Sequence, residues 1–521
     1  MNQPGRLPAH ADEPALLPRV CELWSEILGQ ANIDADQHFF LAGGDSLQMV
    51  RLLMRLHTEW GVELQLARLW QFSTPRKMAA CCSEVIVKLH CRKYEASCSR
   101  NTWDFPASCS QQGLWFSELQ ADSLGLYNSA VVLALRGPLV VAVLEAALNA
   151  LYLQFPLLKC CLQPDVAGRH LRVMIPAYQP AALQVAPLPP HALHTQTTTL
   201  QAMPFESGLG LWRCRLYSHA DDWHSLLLCS HHCLIDGWSG RVLLRHLALA
   251  YNALLSDPHW LPAVRDSAFA RHCWRQQEYL CSELHADNLL WWQNRLAGLA
   301  SQPATIPWQA SAQHWPYRLQ SRRWLWSPGQ LQQLQLRCAE SEVTLFAALV
   351  AALASALALV SGHQEQLIAF PVAARSLPDE ENSVGCYMNL LPIRLNLVEE
   401  ETLHQLLMRV QEDLTQLQAH AAPWQSLVQS LRPPLLADGN AWTQVVLAWQ
   451  NLPALAASFD GLGCQQQSMP SPFGQHVLKF EVTTANDGLS LQVDYAEAVL
   501  SAAVVEQLAT ALLGRLQALV L

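Results

Sequence analysis

The ten residues from Ser230 to Ser239, SHHCLIDGWS, bring several chemically active groups together directly after the apolar run Leu226–Leu228. A neutral imidazole near an acyl carbonyl can take a proton from an attacking amine or hydroxyl, and histidine titrates in the useful pH range. A carboxylate a few residues on can hold a loop in position, and a glycine lets a substrate approach the backbone. A single buried histidine is usually a packed core residue, but the complete pattern HHxxxDG after a strand-like run predicts an acyl-transfer site.

Two cysteines beside this pattern raise the alternative of a metal site. Cys229, His231, His232 and Cys233 lie close together in sequence, but their spacing matches no common zinc pattern. A strand would also direct alternate side chains to opposite faces of a sheet. We therefore expect no metal at this position.

Composition limits the possible functions. The chain has 521 residues, of which 51% are hydrophobic, which predicts two to four folding units with large buried cores. A formal net charge of −10 without a basic stripe argues against a nucleic-acid partner. The 16 cysteines form no paired CxxC motifs, and the first thirteen residues lack the apolar core of a signal peptide. These features are typical of a cytoplasmic protein with reduced thiols.

One uncharged stretch has the length of a membrane span. It runs from Val343 to Gly362, about twenty residues, the length needed to cross a bilayer. Alanine dominates this stretch, which contains Ser355 and lacks aromatic belts and basic flanks. We expect a buried core helix here and no membrane partner.

A second group of chemically informative residues lies near the N-terminus, in a helical unit predicted over residues 14–88. An amphipathic helix is predicted to end at Gly29, and a last helix to begin at Thr74-Pro75 and run through Ile86. Between them, the sequence FFLAGGDSL ends in Asp45, Ser46 and Leu47. The two glycines before Asp45 allow a tight turn, and backbone N–H groups at a helix N-terminus favour an anionic phosphate. The alternative is that Ser46 merely caps the helix.

These residues resemble the attachment motif of acyl and peptidyl carrier proteins. The resemblance implies a small four-helix domain in which Ser46, flanked by Asp45 and Leu47, carries a covalent 4′-phosphopantetheine. It also implies a phosphopantetheinyl transferase as a partner. Residues 89–103 lack strong periodicity and are predicted to be a linker, which would span roughly 50 Å when fully extended.

Almost everything after this linker resembles the condensation domains of nonribosomal peptide synthetases, within the chloramphenicol-acetyltransferase-like superfamily. HHxxxDG is intact, whereas Gly113 replaces the usual arginine of the first motif and Phe155–Lys159 is a degraded form of the second. Later segments follow in family order: Phe370–Arg375, Val384–Asn389, Pro423–Gln425 and Val445–Asn451. The implied fold is a large α/β unit of two lobes, residues 104–280 and 281–521, arranged in a V around a central tunnel.

The resemblance also implies roles for individual residues. His232 would take the proton from an attacking amine or position that amine, while His231 would be structural. Asp236 would be an anchor paired with a cation, with Lys159 and Arg375 as candidates. Gly237 would keep the tunnel open to pantetheine, so a bulky residue there should block the acceptor without unfolding the domain. Weaker site candidates, each of which could instead serve packing or loop capping, are Trp238, Ser239 and Asn389.

The implied activity is transfer of a carrier-tethered acyl or aminoacyl group to an amine, or a hydroxyl, to form an amide or ester. The acceptor would be a free amine or hydroxyl, or an aminoacyl group on a downstream carrier. Because no adenylation segment is recognisable, an adenylation or other loading enzyme is expected to act in trans. Two alternatives stay open: epimerisation of a carrier-bound aminoacyl group, and a catalytically inactive docking platform.

Overall fold

Among the described residues, the N-terminal unit contains three helices in the computed structural model. They are α1 (Glu13–Leu28), α2 (Ser46–Trp60) and α3 (Pro75–His90). Their shared core contains Trp24, whose ring meets Phe39 edge to face at 4.9 Å and whose indole N–H donates to the Met78 sulfur at 3.3 Å. The structure describes residues 13–39, 42–44, 46–60, 62, 74–90, 103–120, 125–165, 170–205, 210–299, 317–433, 442, 444–450, 458–469, 471, 473–485 and 488–520.

The boundaries of these helices compare closely with the sequence-based predictions. The first ends at Leu28, and Gly29 follows with a φ of 66°, a value that favours glycine. The last begins after Thr74 as predicted but continues past Ile86 to His90, so the predicted linker 89–103 starts inside a helix. Residues 91–102 lie outside the described residues, as does most of 61–73, where the fourth carrier helix would fall.

The rest of the chain alternates helices and strands. The helices are α4 (Cys109–Gln120), α5 (Val141–Gln154), α6 (Leu193–Ala202), α7 (Gly237–Ser256), α8 (Ala268–Leu280), α9 (Glu283–Leu296), α10 (Pro328–Glu340), α11 (Leu345–Ser361), α12 (Leu403–Ala419), α13 (Trp424–Leu431) and α14 (Ala502–Val520). The strands are β1 (Asp104–Pro106), β2 (Asn128–Arg136), β3 (Cys161–Pro164), β4 (Leu171–Met174), β5 (Gln184–Pro187), β6 (Trp212–Ala220), β7 (Trp223–His231), β8 (Tyr317–Trp326), β9 (Glu365–Ala373), β10 (Met388–Asn396), β11 (Val445–Gln450), β12 (Gly463–Met469), β13 (Phe473–Gly474), β14 (Leu478–Ala485) and β15 (Gly488–Ala496).

The first half contains two sheets, with strand orders β1-β4-β3 and β12-β2-β7-β6-β5. In the larger sheet β7 lies at the centre and pairs antiparallel with β2, from Trp223 opposite Arg136 to His231 opposite Asn128. Leu226, Leu227 and Leu228 are buried in this strand. Since β7 is buried along nearly its whole length, its centre is apolar, and it delivers the histidine pair at its end.

The second half is built on one seven-stranded sheet with the order β10-β9-β11-β14-β15-β8-β13. The alanine-rich α11 packs against it and against α12 and α14. The Thr344 side chain caps the start of α11 by accepting from the Ala347 N–H, and Gly362 ends it with a φ of 75°. Most of its side chains are buried, which confirms the predicted core helix.

The two halves are interleaved. Strand β12, late in the chain, pairs antiparallel with β2 of the first half, from Gly463 opposite Arg136 to Met469 opposite Ala130. Val384, Tyr387 and Phe459 likewise pack into the apolar core of the first half. The predicted division between residues 280 and 281 lies between α8 and α9. The later segments named above belong to the second half in sequence but pack against the first half.

Among the described helices, α14 is long and apolar enough to cross a membrane by length and composition alone. About 28% of its most apolar window is buried. Its Leu508, Leu512 and Leu516 pack into the core of the second half. A core helix with one apolar face has the same composition, so α14 is weak evidence for a membrane span.

Candidate active site

His232 occupies the turn between β7 and α7. Its backbone N–H donates to the Tyr127 carbonyl at 2.8 Å, and the carbonyl of the next residue, Cys233, accepts from the Gln111 side chain at 3.0 Å. Burial lowers the pKa of His232 below its ordinary 6.5, and His231 and Lys479 lower it further. A hydrogen bond with its own backbone and the charge of Asp236 act in the opposite direction but do not cancel the shift. The half-buried imidazole is therefore neutral at pH 7.

The neighbouring His231 has different surroundings. It is completely buried, its Nδ1 accepts from the Cys233 backbone N–H at 3.1 Å, and its ring meets Trp115 edge to face at 5.5 Å. Its Nε2 lies 3.8 Å from a carboxylate oxygen of Glu118. These contacts fix the backbone on one side of His232.

Glu118 is a residue that the sequence reasoning missed. Its buried carboxylate accepts backbone N–H bonds from Gly125 (2.7 Å), Leu126 (3.2 Å) and Tyr127 (3.0 Å). Burial raises the pKa of Glu118, but the His231 imidazole and these N–H groups outweigh it, so the net shift is downward. A charged Glu118 thus holds the loop whose Tyr127 carbonyl receives the His232 N–H.

A sequence signal for Glu118 does exist. It lies on α4 with Gln111 and Trp115, at spacings of four and three residues, and all three side chains are buried. Residues with this spacing share one face of a helix. Two polar side chains on a buried helix face need partners; here Gln111 finds the Cys233 carbonyl, and Glu118 finds the backbone N–H groups of residues 125–127.

Asp236 begins α7. Its carboxylate accepts from the Ser239 backbone N–H at 2.7 Å, the arrangement of a helix N-cap, and from the Tyr387 backbone N–H at 3.0 Å. Arg375 lies 3.2 Å away from the same carboxylate. Asp236 therefore joins the HHxxxDG turn to a segment from the second half.

Arg375, rather than Lys159, is the cation beside Asp236. Its guanidinium donates to Asp236, to the Ser239 hydroxyl at 2.7 Å and to the carbonyls of Glu380 and Ser383, and its side chain is fully buried. Lys159 instead donates to the Gln179 carbonyl at 2.6 Å, near the surface. The planar, multiply donating group fits this site better than an ammonium would.

Ser239 and Gly385 complete the contact between the halves. The Ser239 hydroxyl donates to the Gly385 carbonyl at 2.7 Å and lies 3.0 Å from the Gly385 N–H. A Cβ on Gly385 would overlap the ring of Phe269, so the close backbone approach requires glycine. The predicted residue Ser239 thus acts as a hydrogen-bonding centre, whereas sequence reasoning did not explain why Gly385 is a glycine.

The other predicted site residues are placed as follows. Gly237 is the exposed first residue of α7. Trp238 is buried, and its indole N–H donates to the Glu381 carbonyl at 2.9 Å. Asn389 is not beside these groups in the described hydrogen-bond network: it donates to the Ala422 carbonyl at 2.8 Å and accepts from the Trp424 N–H at 2.9 Å, so it caps α13.

A second residue missed from the sequence is Lys479. It lies on β14, on the opposite side of that strand from the apolar Leu478 and Phe480, and forms a 2.6 Å ion pair with Glu481. Its charge is among those that lower the pKa of His232. A cation from the second half therefore acts on the imidazole supplied by the first.

Ser46 is the first residue of the long helix α2. The turn before it contains Gly43 with a φ of 83°, and a Cβ on Gly44 would overlap the Phe39 ring, so both glycines are needed for the turn. This backbone presents position 46 at a helix N-terminus, which fits a phosphodiester. The side chains of Ser46 and Leu47, and the whole of Asp45, lie outside the described residues, as does Asn451 of the late strand motif.

Comparison with known proteins identifies both regions. Residues 18–82 match the family model of the phosphopantetheine attachment site, which implies covalent 4′-phosphopantetheine, and residues 102–521 match that of the condensation domain. Malpibaldin synthetase of Mortierella alpina is 29% identical over 83% of this chain and 8% of its own length. Surfactin synthase subunit 1 of Bacillus subtilis is 26% identical over 94% of this chain and 13% of its own length. The chain thus spans a small part of these relatives.

Solved structures share the fold of the second region. The X-domain from teicoplanin biosynthesis superposes with a TM-score of 0.73 at 22% identity, covering 82% of this chain and 96% of that one. The first condensation domain of the calcium-dependent antibiotic synthetase, in complex with a substrate analogue, gives 0.66 at 20% identity, covering 80% and 96%. Since the family model matches most of the chain, this protein belongs to the condensation-domain family of amide-forming transferases, with a carrier domain in front, as in nonribosomal peptide synthetases.

Proposed function

We propose that this chain catalyses transfer of a carrier-bound acyl or aminoacyl group to an amine, or to a hydroxyl, with His232 as the catalytic residue. The observation that carries the proposal is the position of His232: a neutral, half-buried imidazole on a turn held from both halves. Asp236 and Arg375 hold the turn on one side, and Glu118 holds it on the other.

His232 would accept the proton of the amine as the new C–N bond forms at the acyl carbonyl, a contribution typically worth ~10²–10⁴ in rate. The thioester C–S bond would then break, and the imidazole would return the proton to the departing thiolate. The neutral state required for this is favoured by burial and by the charge of Lys479. Asp236 is already engaged by Arg375 and two backbone N–H groups, so it acts as a positioning residue. Gly237, exposed at the start of α7, would leave room for the substrate arm.

The carrier would supply the donor. Ser46 would be the attachment residue, beside Asp45 and Leu47, and the bound 4′-phosphopantetheine supplies a thiol that holds the acyl group as a thioester. A four-helix carrier over residues 14–88, a linker over 89–103, and two lobes (104–280 and 281–521) in a V around a tunnel remain part of this proposal. A phosphopantetheinyl transferase and a loading activity are the implied partners.

The proposal can be tested on the full chain. A phosphopantetheinyl transferase would load it from coenzyme A thioesters of octanoate and of N-acetylalanine, and a panel of amino acids and small amines would then be added. We expect the acyl mass to leave the intact protein and an amide to appear. Deuterium uptake at the donor α-carbon without transfer would indicate epimerisation instead, and a stable, unexchanged acyl group would indicate a docking platform.

The pH dependence follows from the lowered pKa of His232. Because its neutral form accepts the proton, transfer should stay constant as the pH falls through 6.5 and decline only below that value. The measurement is the single-turnover rate with an acceptor amine whose own pKa lies well below this range. A Lys479→Gln variant should move the decline to higher pH, since the lysine charge lowers the pKa of His232. A midpoint at or above 6.5 in the unmodified chain would contradict the assignment.

A further inference from the structure

The carrier region contacts the condensation region through Arg51, on α2. Arg51 follows Ser46 by five residues, about 7.5 Å along the helix axis. Its Nε lies 3.8 Å from a carboxylate oxygen of Glu381, and its guanidinium lies 5.8 Å from the centre of the Trp238 ring. We call Trp238 and Glu381 the docking face.

The docking face is held firmly from within the condensation region. The Trp238 indole donates to the Glu381 carbonyl at 2.9 Å. The preceding residue, Glu380, is fully buried and accepts from the backbone N–H groups of Ser376 and Leu377, and His272 and Arg275 contact its carboxylate. Burial raises the pKa of Glu380, but these partners lower it to about 2. Glu380 therefore anchors the segment, and Glu381 is left to face the carrier.

The docking face is also continuous with the residues that position His232. Trp238 follows Asp236 and Gly237 directly, and the guanidinium of Arg375 lies 5.3 Å from the same indole ring that Arg51 approaches. The carrier helix thus rests beside the N-terminus of α7, within two residues of the catalytic turn's anchor.

Two further residues of the carrier support the contact. Met54, one helical turn after Arg51, is 1% exposed although it does not belong to the apolar core of the carrier. Burial lowers the pKa of His38, in the loop before Ser46, and the carboxylate of Glu342 in the second half acts against that shift. The side of α2 that carries Arg51 therefore faces the condensation region.

We propose that Trp238 and Glu381 form a docking surface for the carrier of the same chain, recognised through Arg51. The carrier would rest at the N-terminal end of α7 and deliver its cargo in cis. Delivery of the cargo rests on the proposed function, but the contact between Arg51 and Glu381 can be measured without any catalysis.

The direct test is zero-length carbodiimide cross-linking of the full chain, because this reagent joins only an amine and a carboxylate already in contact. Arg51→Lys keeps the charge and provides the amine, and we expect a link from position 51 to Glu381, with a yield that does not change with protein concentration. The matched control is Arg55→Lys, exposed one turn further along α2, which should give at least about tenfold less of that link. Absence of the link at position 51, equal yields from both positions, or a link between chains would each overturn the proposal.

Kinetics give the second test. Arg51→Glu should slow transfer from the loaded carrier by about three- to tenfold, and Glu381→Arg in the same chain should restore it. Both variants should use a soluble pantetheine thioester of octanoate at the unmodified rate, because this donor needs no carrier. No rescue in the double variant would count against docking alone, whereas a chain that uses neither donor would count against the proposed function.

Discussion

Replacing His232 by alanine should lower the rate of acyl transfer by about 10²–10⁴, the range for loss of a general base. The imidazole is on a turn whose backbone is fixed by other groups: the His232 N–H donates to Tyr127, and the next carbonyl accepts from Gln111. The turn should therefore keep its shape without the ring. Loss of rate should come from chemistry and not from unfolding.

The measurement is single-turnover transfer from a carrier loaded with N-acetylalanine, followed by intact-protein mass spectrometry. The loading itself should be unchanged in His232→Ala, since it depends on the carrier. His259→Ala, at an exposed histidine away from the turn, serves as the matched control and should transfer at the unmodified rate. An unchanged rate in His232→Ala would exclude a catalytic role for this residue and would place the chemistry on other groups.

Replacing Arg375 by leucine should lower the free energy of unfolding by about 3–5 kcal/mol, because it leaves the buried Asp236 carboxylate without its cation. The decrease in stability also includes the hydrogen bonds that Arg375 donates to two carbonyls and to the Ser239 hydroxyl, because these buried acceptors lose their donor. Arg375→Lys keeps a charge but not the planar group, so its effect should lie between those of leucine and arginine.

Urea unfolding of the full chain measures this prediction. Lys159→Leu is the control, because Lys159 was the other cation predicted for Asp236 but donates near the surface to Gln179. Lys159→Leu should lower the free energy of unfolding by less than about 1 kcal/mol. Equal destabilisation by the two substitutions would show that the pairing of Arg375 with Asp236 contributes little to stability.

The sequence predicted those parts of the site that depend on local order. The pattern from His231 to Gly237 lies within a single strand–turn–helix, so the motif HHxxxDG after an apolar strand-like run identifies it without knowledge of the fold. The two cations proposed for Asp236 included the right one because Arg375 falls in a recognisable segment. The start of a helix at Ser46 was predicted for the same local reasons.

The parts that sequence reasoning missed depend on partners far apart in the chain. Glu118 has meaning only when the loop at Tyr127 and the ring of His231 are next to it. Lys479 acts on His232 across the two halves, and Asn389 caps α13, a contact that a motif cannot distinguish from a substrate contact. In each case the residue type is informative, but its neighbour is decided by the packing of the two halves.

The pairing of β12 with β2 has a consequence for how the chain is made. While a ribosome is still synthesising the second half, the edge of β2 has no partner, because residues 463–469 have not yet emerged. An open edge of this kind is a template for pairing with other chains. The edge of β2 therefore stays open during synthesis until residues 463–469 emerge, and β12 then covers it.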